Sequence, residues 1–145
     1  MVFCTANVFY LESKEESLNI YIFTINDTQK EFEDRLAKKR WPIFKKTMYA
    51  DKLKKEDKIL FYLAGTGMHK FAGSAMVDLL SEDKKGRFVK IDSIQVWKKP
   101  VEIKKIMGNL GIIKNPKYYG AYLAGGIKRL SESDYNLISK TGGKA

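Results

Sequence analysis

Leu18-Asn19-Ile20-Tyr21-Ile22-Phe23-Thr24-Ile25 is the stretch on which the fold turns. Successive side chains of a strand point to opposite faces, and here both alternations are apolar: Ile20 and Ile22 on one, Tyr21, Phe23 and Ile25 on the other. Such a run reads as an interior strand, covered on both sides of its sheet. Asn26 and Asp27 end it. Upstream, residues 2–11 are rich in β-branched and aromatic side chains and read as an extra N-terminal strand, followed by a charged turn over residues 12–17.

Downstream, Thr28 with Glu31 three residues later forms a capping-box pattern, and Phe32 with Leu36 gives a thin apolar stripe. The helix predicted over residues 28–40 carries the i,i+4 pairs Glu31/Arg35 and Asp34/Lys38 and ends by Trp41, because Pro42 disfavours helical geometry before it. Residues 59–64 read as a strand, Gly65-Thr66-Gly67 as a turn, and residues 71–80 as the hairpin partner, with Gly73 permitting a close approach or bulge. In the next strand the apolar positions change from odd (Val89, Ile91) to even (Ile94, Val96), which predicts a bulge at Asp92-Ser93. Helices are expected over residues 102–109 and 132–140, the second opened by Ser131 and Asp134 with Tyr135, Leu137 and Ile138 inward, and residues 141–145 form a tail. Strands in close succession without regular β-α alternation imply an α+β fold with a mostly antiparallel or mixed sheet. Five or six strands in so short a chain curl most easily into a small, largely closed β-barrel flanked by short helices, one domain over residues 1–140.

The chain has 145 residues, enough for one core, and 27 basic residues against 17 acidic ones give a net charge of +10. That field favours a polyanion, and nucleic acid fits better than a membrane because no segment joins the cations to a broad apolar helical face. Cys4 is the only cysteine and His69 the only histidine, so the usual Cys/His metal sites and an internal disulfide are excluded, and a cytoplasmic setting is expected. His69 reads as a solvated turn residue and Cys4 as a small core residue. Asp78 and Asp92 could meet across strands, but a solvated face suits them better. No nucleophile, base and orienting group assemble, so neither catalysis nor a cofactor is expected.

The aromatic residues set among cations suggest more. Lys38-Lys39-Arg40-Trp41-Pro42 and Lys114-Asn115-Pro116-Lys117-Tyr118-Tyr119 place large rings in basic, loop-like segments. A ring for a base's π-face and cations for phosphates are what an unpaired nucleotide needs. The alternative is that the prolines turn the chain and the rings cover core edges. Trp97, before Lys98-Lys99-Pro100, repeats the pattern but follows strand residues and reads as packing at the barrel end.

Taken in order, these pieces resemble the EVE domain, a member of the PUA-like superfamily related to YTH domains. The resemblance spans residues 18–139 and rests on Ile22-Phe23-Thr24-Ile25-Asn26, Trp41-Pro42, Lys52-Leu53-Lys54-Lys55-Glu56-Asp57-Lys58-Ile59-Leu60-Phe61-Tyr62, Phe71-Ala72-Gly73-Ser74-Ala75, Ile113-Lys114-Asn115-Pro116-Lys117-Tyr118-Tyr119, Gly125, Leu130-Ser131-Glu132-Ser133-Asp134-Tyr135 and Leu137-Ile138. It implies a curved barrel whose pocket takes a flipped, often methylated base into an aromatic cage. By position, Trp41 matches the cage tryptophan, Tyr119 or Tyr118 the late-loop aromatic, and Thr24 and Asn26 the polar contacts to the base edge. Lys38, Lys39, Arg40, Lys45, Lys46, Lys114 and Lys117 are the phosphate-binding candidates. The implied partner is nucleic acid, DNA ahead of RNA, with an NTPase or nuclease fused or acting alongside, as in McrB-type restriction systems; the alternatives are an RNA reader of the YTH or PUA kind and an aromatic-cage module for methylated lysine on a protein. Two departures stand out: Tyr21 where the family usually has tryptophan, and Pro42 where it has glycine.

Overall fold

The computed structural model describes residues 19–43, 52–65, 68–84, 86–115, 117, 122–123 and 126–142. Six strands form one sheet: β1 (Ile20–Ile25), β2 (Arg40–Ile43), β3 (Lys58–Leu63), β4 (Lys70–Asp83), β5 (Gly86–Glu102) and β6 (Ile127–Arg129). Their order is β2-β5-β4-β3-β1-β6. β1 runs parallel to β3, from Ile20 opposite Lys58 to Ile25 opposite Leu63, and every other pairing is antiparallel. A parallel neighbour requires a crossover. Here the crossover contains α1 (Gln29–Lys38) and β2. The helix α2 (Ile103–Ile106) leads into a 3-10 turn, Met107–Asn109, and α3 (Glu132–Gly142) closes the described chain.

The doubly apolar reading of β1 is borne out by two cores, one on each face. Tyr21, Phe23 and Ile25 join Phe32, Trp41, Ile59, Phe61, Val89 and Ile91 in the first. Ile22 joins Leu60, Tyr62, Phe71, Trp97, Ile103 and Ile138 in the second. The first core also shows that the sheet is rolled. β2 and β3 lie three strand spacings apart, about 14 Å in a flat sheet. Yet the rings of Trp41 on β2 and Phe61 on β3 are 5.1 Å apart, and Trp41 and Phe23 on β1 are 5.7 Å apart. Only a curled sheet lets those residues meet, with α1 plugging the concave side through Phe32. The edges β2 and β6 are not paired to one another among the described residues.

Local rules account for most of the elements. Glu31 N–H donates to the Thr28 hydroxyl at 3.1 Å, the expected N-cap, and Asp134 N–H donates to Ser131 Oγ at 3.2 Å at the start of α3. The bulge expected at Asp92-Ser93 is present: Met76 faces Asp92 and Ser74 faces Gln95, so Ala75 alone opposes Ser93 and Ile94, and Ser93 adopts φ 51°. Beyond the bulge the alternation differs from expectation. Val96 is 56% exposed, and Trp97 is the buried residue, on the second core.

Three boundaries also differ. Residues 40–43 form an edge strand rather than a loop, because Lys39 takes the left-handed C-cap conformation and ends α1 itself. β6 carried no sequence signal at three residues. α3 extends through Thr141, whose hydroxyl donates to Leu137 O, into the expected tail. The predicted N-terminal strand lies outside the described residues. No helix among the described residues is long and apolar enough to cross a membrane.

Candidate nucleic-acid interface

The α1–β2 junction organises the site. Lys39 N–H donates to the end of α1, and the chain turns at once into β2, so Lys38 and Arg40 stand outward while Trp41 and Ile43 point into the first core. Trp41 is 2% exposed. Phe61 stacks on its ring with an interplanar angle of 25°, and Phe32 meets it edge-on at 6.3 Å. The Arg35 guanidinium lies over the indole, its Cζ 4.7 Å from the centroid, while Arg35 Nε donates to Glu31 Oε2 at 2.9 Å. The segment that read as a loop with no core role thus supplies a core ring, because the sheet's roll brings its edge over β3.

Above this ring a groove of about 500 Å³ opens between α1, β2 and the β4–β5 hairpin end. Its cations are Arg35, Lys38, Arg40, Lys84 and Arg87, against the acids Glu31, Asp34 and Asp83. Arg40 stacks on Phe88, Cζ 3.6 Å from the ring centroid, and bonds Asp83. Arg40 also sits directly opposite Lys90 across β2 and β5. Like charges so paired disfavour the sheet, and the Asp83 carboxylate bonded to Arg40 offsets part of that repulsion.

The other expected residues fall elsewhere. Thr24 belongs to the opposite alternation of β1 from Phe23, and its hydroxyl donates to Leu123 O at 2.7 Å while its N–H donates to Gly126 O. Thr24 and Trp41 are therefore on opposite faces of the sheet and are not brought together. Asn26 is exposed just past the end of β1. Lys39 is exposed at the C-cap, and Lys114 and Lys117 are exposed in the late segment, where Lys117 N–H donates to Asn115 Oδ1. Tyr118, Tyr119, Lys45, Lys46 and Cys4 lie outside the described residues. Asp78 faces Lys55 at 4.0 Å, and Asp92 is exposed in the bulge.

Sequence reading missed Arg35, Lys84, Arg87 and Phe88. Arg35 registered only as the partner of Glu31, and nothing local indicates that Arg35 sits on a ring six residues later. Two buried carboxylates were also missed. Asp57 accepts the N–H groups of Asn19 and Lys54, and Asp134 accepts those of Gly111 and Ile112. Asp57 holds the chain before β1 to the turn before β3, and Asp134 ties the segment after the 3-10 turn to α3.

Neither a protein-family model nor a curated protein matches the sequence. Solved structures do match the fold. A protein from Agrobacterium tumefaciens is similar with a TM-score of 0.65 at 16% identity, over 86% of this chain and 93% of that one. Human THYN1, solved in complex with DNA containing 5-methylcytosine, is similar at 0.60 and 11% identity, over 85% of this chain and 96% of that one. The YTH domain of Zygosaccharomyces rouxii MRB1, solved with N6-methyladenosine RNA, is similar at 0.59 and 14% identity, over 84% of this chain and 86% of that one. With its curled six-stranded sheet, parallel β1–β3 pair and short flanking helices, the chain shares the fold of these structures, the YTH domain among them.

Proposed function

We propose that this chain is a nucleic-acid reader, a binding module rather than an enzyme, that takes a modified base extruded from DNA against Trp41. The observation that carries the reading is an aromatic ring one side chain away from a groove with five cations. The ring stacks on the base and the groove holds the phosphates of the same strand. Flipping a base costs a few kcal/mol, and stacking returns about 1–3 kcal/mol per base, so ring and cations together offset extrusion. Asn26 and the segment with Tyr118 and Tyr119 contribute to the base edge and a second ring. Leu123, which accepts the Thr24 hydroxyl, ties that segment's end to β1.

Solved neighbours of this fold hold 5-methylcytosine DNA in one case and N6-methyladenosine RNA in another, which supports a nucleic-acid partner. We favour DNA; the RNA-bound neighbour motivates the second reading. A methyl in an apolar recess is worth only roughly 10- to 200-fold in discrimination. The reader therefore works best linked to further copies or to an NTPase or nuclease, as in modification-dependent restriction.

Binding to short duplexes carrying N6-methyladenine, 5-methylcytosine, 5-hydroxymethylcytosine or no modification, beside RNA of the same sequence, tests this. One modified base should bind about tenfold or more tighter than its unmodified form, the discrimination expected of one buried methyl group. Equal binding to every duplex and to RNA would sink the reading.

A further inference from the structure

We infer that Arg35 is a built-in stand-in for the base: a bound heterocycle takes the guanidinium's place on Trp41, and Glu31 then selects bases that carry an exocyclic amino group. The inference rests on Trp41 being the stacking ring. Of the groups packed on that indole, Phe23, Phe32 and Phe61 are buried core rings, whereas Arg35 also lines the groove. Arg35 is thus the layer between the indole and the open groove. Its side chain is only 10% exposed, while Glu31, which tethers it, is 39% exposed.

The exchange is chemically matched. A guanidinium is flat and delocalised, so the space it vacates on the indole is a slot for a planar ring. Its two interactions are with the π-face of Trp41 and, through a donated N–H, with the Glu31 carboxylate. Adenine and cytosine reproduce both, because each carries an exocyclic amino donor, retained in part on N6-methylation and untouched by 5-methylation. Thymine offers an oxygen acceptor at the same edge and would face the carboxylate with like partial charge. The displaced guanidinium moves into the groove with Lys38 and Arg40, where phosphate replaces Glu31 as its counter-ion. A partly exposed i,i+4 ion pair is a weak tether, so a side-chain rotation frees it without backbone movement.

The test compares affinities, by fluorescence anisotropy, for duplexes with a central 5-methylcytosine, N6-methyladenine, thymine or abasic site. Dividing each base's affinity by that for the abasic duplex removes the backbone term. In Arg35→Ala the cover is gone, and the 5-methylcytosine or N6-methyladenine ratio should rise at least about threefold, the lower end of what a cation–π interaction of this burial is worth. In Glu31→Gln, a surface change that guards against misfolding of the first variant, the preference for amino bases over thymine should fall toward one. A ratio unchanged or lowered in Arg35→Ala overturns the stand-in, since Arg35 would then assist the base or ignore it. A preference over thymine that survives Glu31→Gln overturns the selection. A wild-type protein that fails to separate any base from the abasic site brings down the reader reading itself, and the inference with it.

Discussion

Trp41 is a core ring, and under the function proposed above it is a binding surface as well; the two roles can be separated by size of substitution. We predict that Trp41→Ala costs about 3–5 kcal/mol of stability, the usual cost of emptying an aromatic core site. Trp41→Phe keeps a ring on Phe61 and should leave the protein folded while weakening base preference. Urea unfolding and the duplex panel measure the two effects. A folded Trp41→Phe or Trp41→Ala protein with lower stability and intact base preference would mean that the ring is core alone. Asp57 is the opposite case, purely structural. It is fully buried, and its carboxylate takes the N–H groups of Asn19 and Lys54. We predict that Asp57→Ala lowers stability by about 1.5–3 kcal/mol, the worth of hydrogen bonds to a charged group, without changing base preference. In the sequence Asp57 is one more charge in a charged run; its burial depends on Asn19, 38 residues away.

Elements explain why the groove lies where it does. Pro42 suggested a break after α1, but the break is made by Lys39, and proline then suits an edge strand because it has no N–H to offer the free edge. β4 and β5 are long and repeatedly out of step, and two positions accommodate the mismatch. A Cβ on Gly73 would overlap the Gln95 carbonyl oxygen, a rigid backbone atom. Gly73→Ala should therefore destabilise by about 1–3 kcal/mol, as overpacking does. Ser93, at φ 51°, should be relieved by glycine, and we predict that Ser93→Gly gains up to about 1 kcal/mol. Thermal unfolding of the pair checks both signs, and a destabilised Ser93→Gly would refute the assignment of strain to the bulge. The bulge was legible because a change of alternation has one local remedy. Trp97 beyond it packs as read, but the exposure of Val96 was not legible, since which face is covered there depends on α3.

On the scale of the molecule, the roll of the sheet and the net charge of +10 act together. The roll brings α1, β2 and the β4–β5 hairpin around one groove, and under the proposed function the charge draws nucleic acid to it. We predict that binding to unmodified duplex weakens steeply with salt, because bound lysines and arginines release counterions. Replacing Lys38, Lys84 and Arg87 by alanine should weaken all duplexes together and flatten the plot of log affinity against log salt by about one unit for each phosphate that is no longer neutralised. Affinity that stays flat from low to physiological salt in the wild type would remove the groove as the docking face.

By itself the sequence determined what neighbouring residues settle between them: the interior strand at Ile20–Ile25, the capped start of α1, the helical turn after β5 and the bulge at Ser93, together with the net basic charge. Ordered along the chain, those pieces were enough to suggest the PUA-like fold. Only the tertiary structure decided that Trp41 lies on Phe61 under Arg35, that Thr24 faces away from it, and that Arg87 and Lys84 join Lys38 and Arg40 in one groove. The reason is one of range. Caps, alternation and bulges are fixed within a few residues of backbone, whereas the curl that joins β2 to β3 comes from two cores packing on opposite faces of one sheet, and no local pattern encodes that distance.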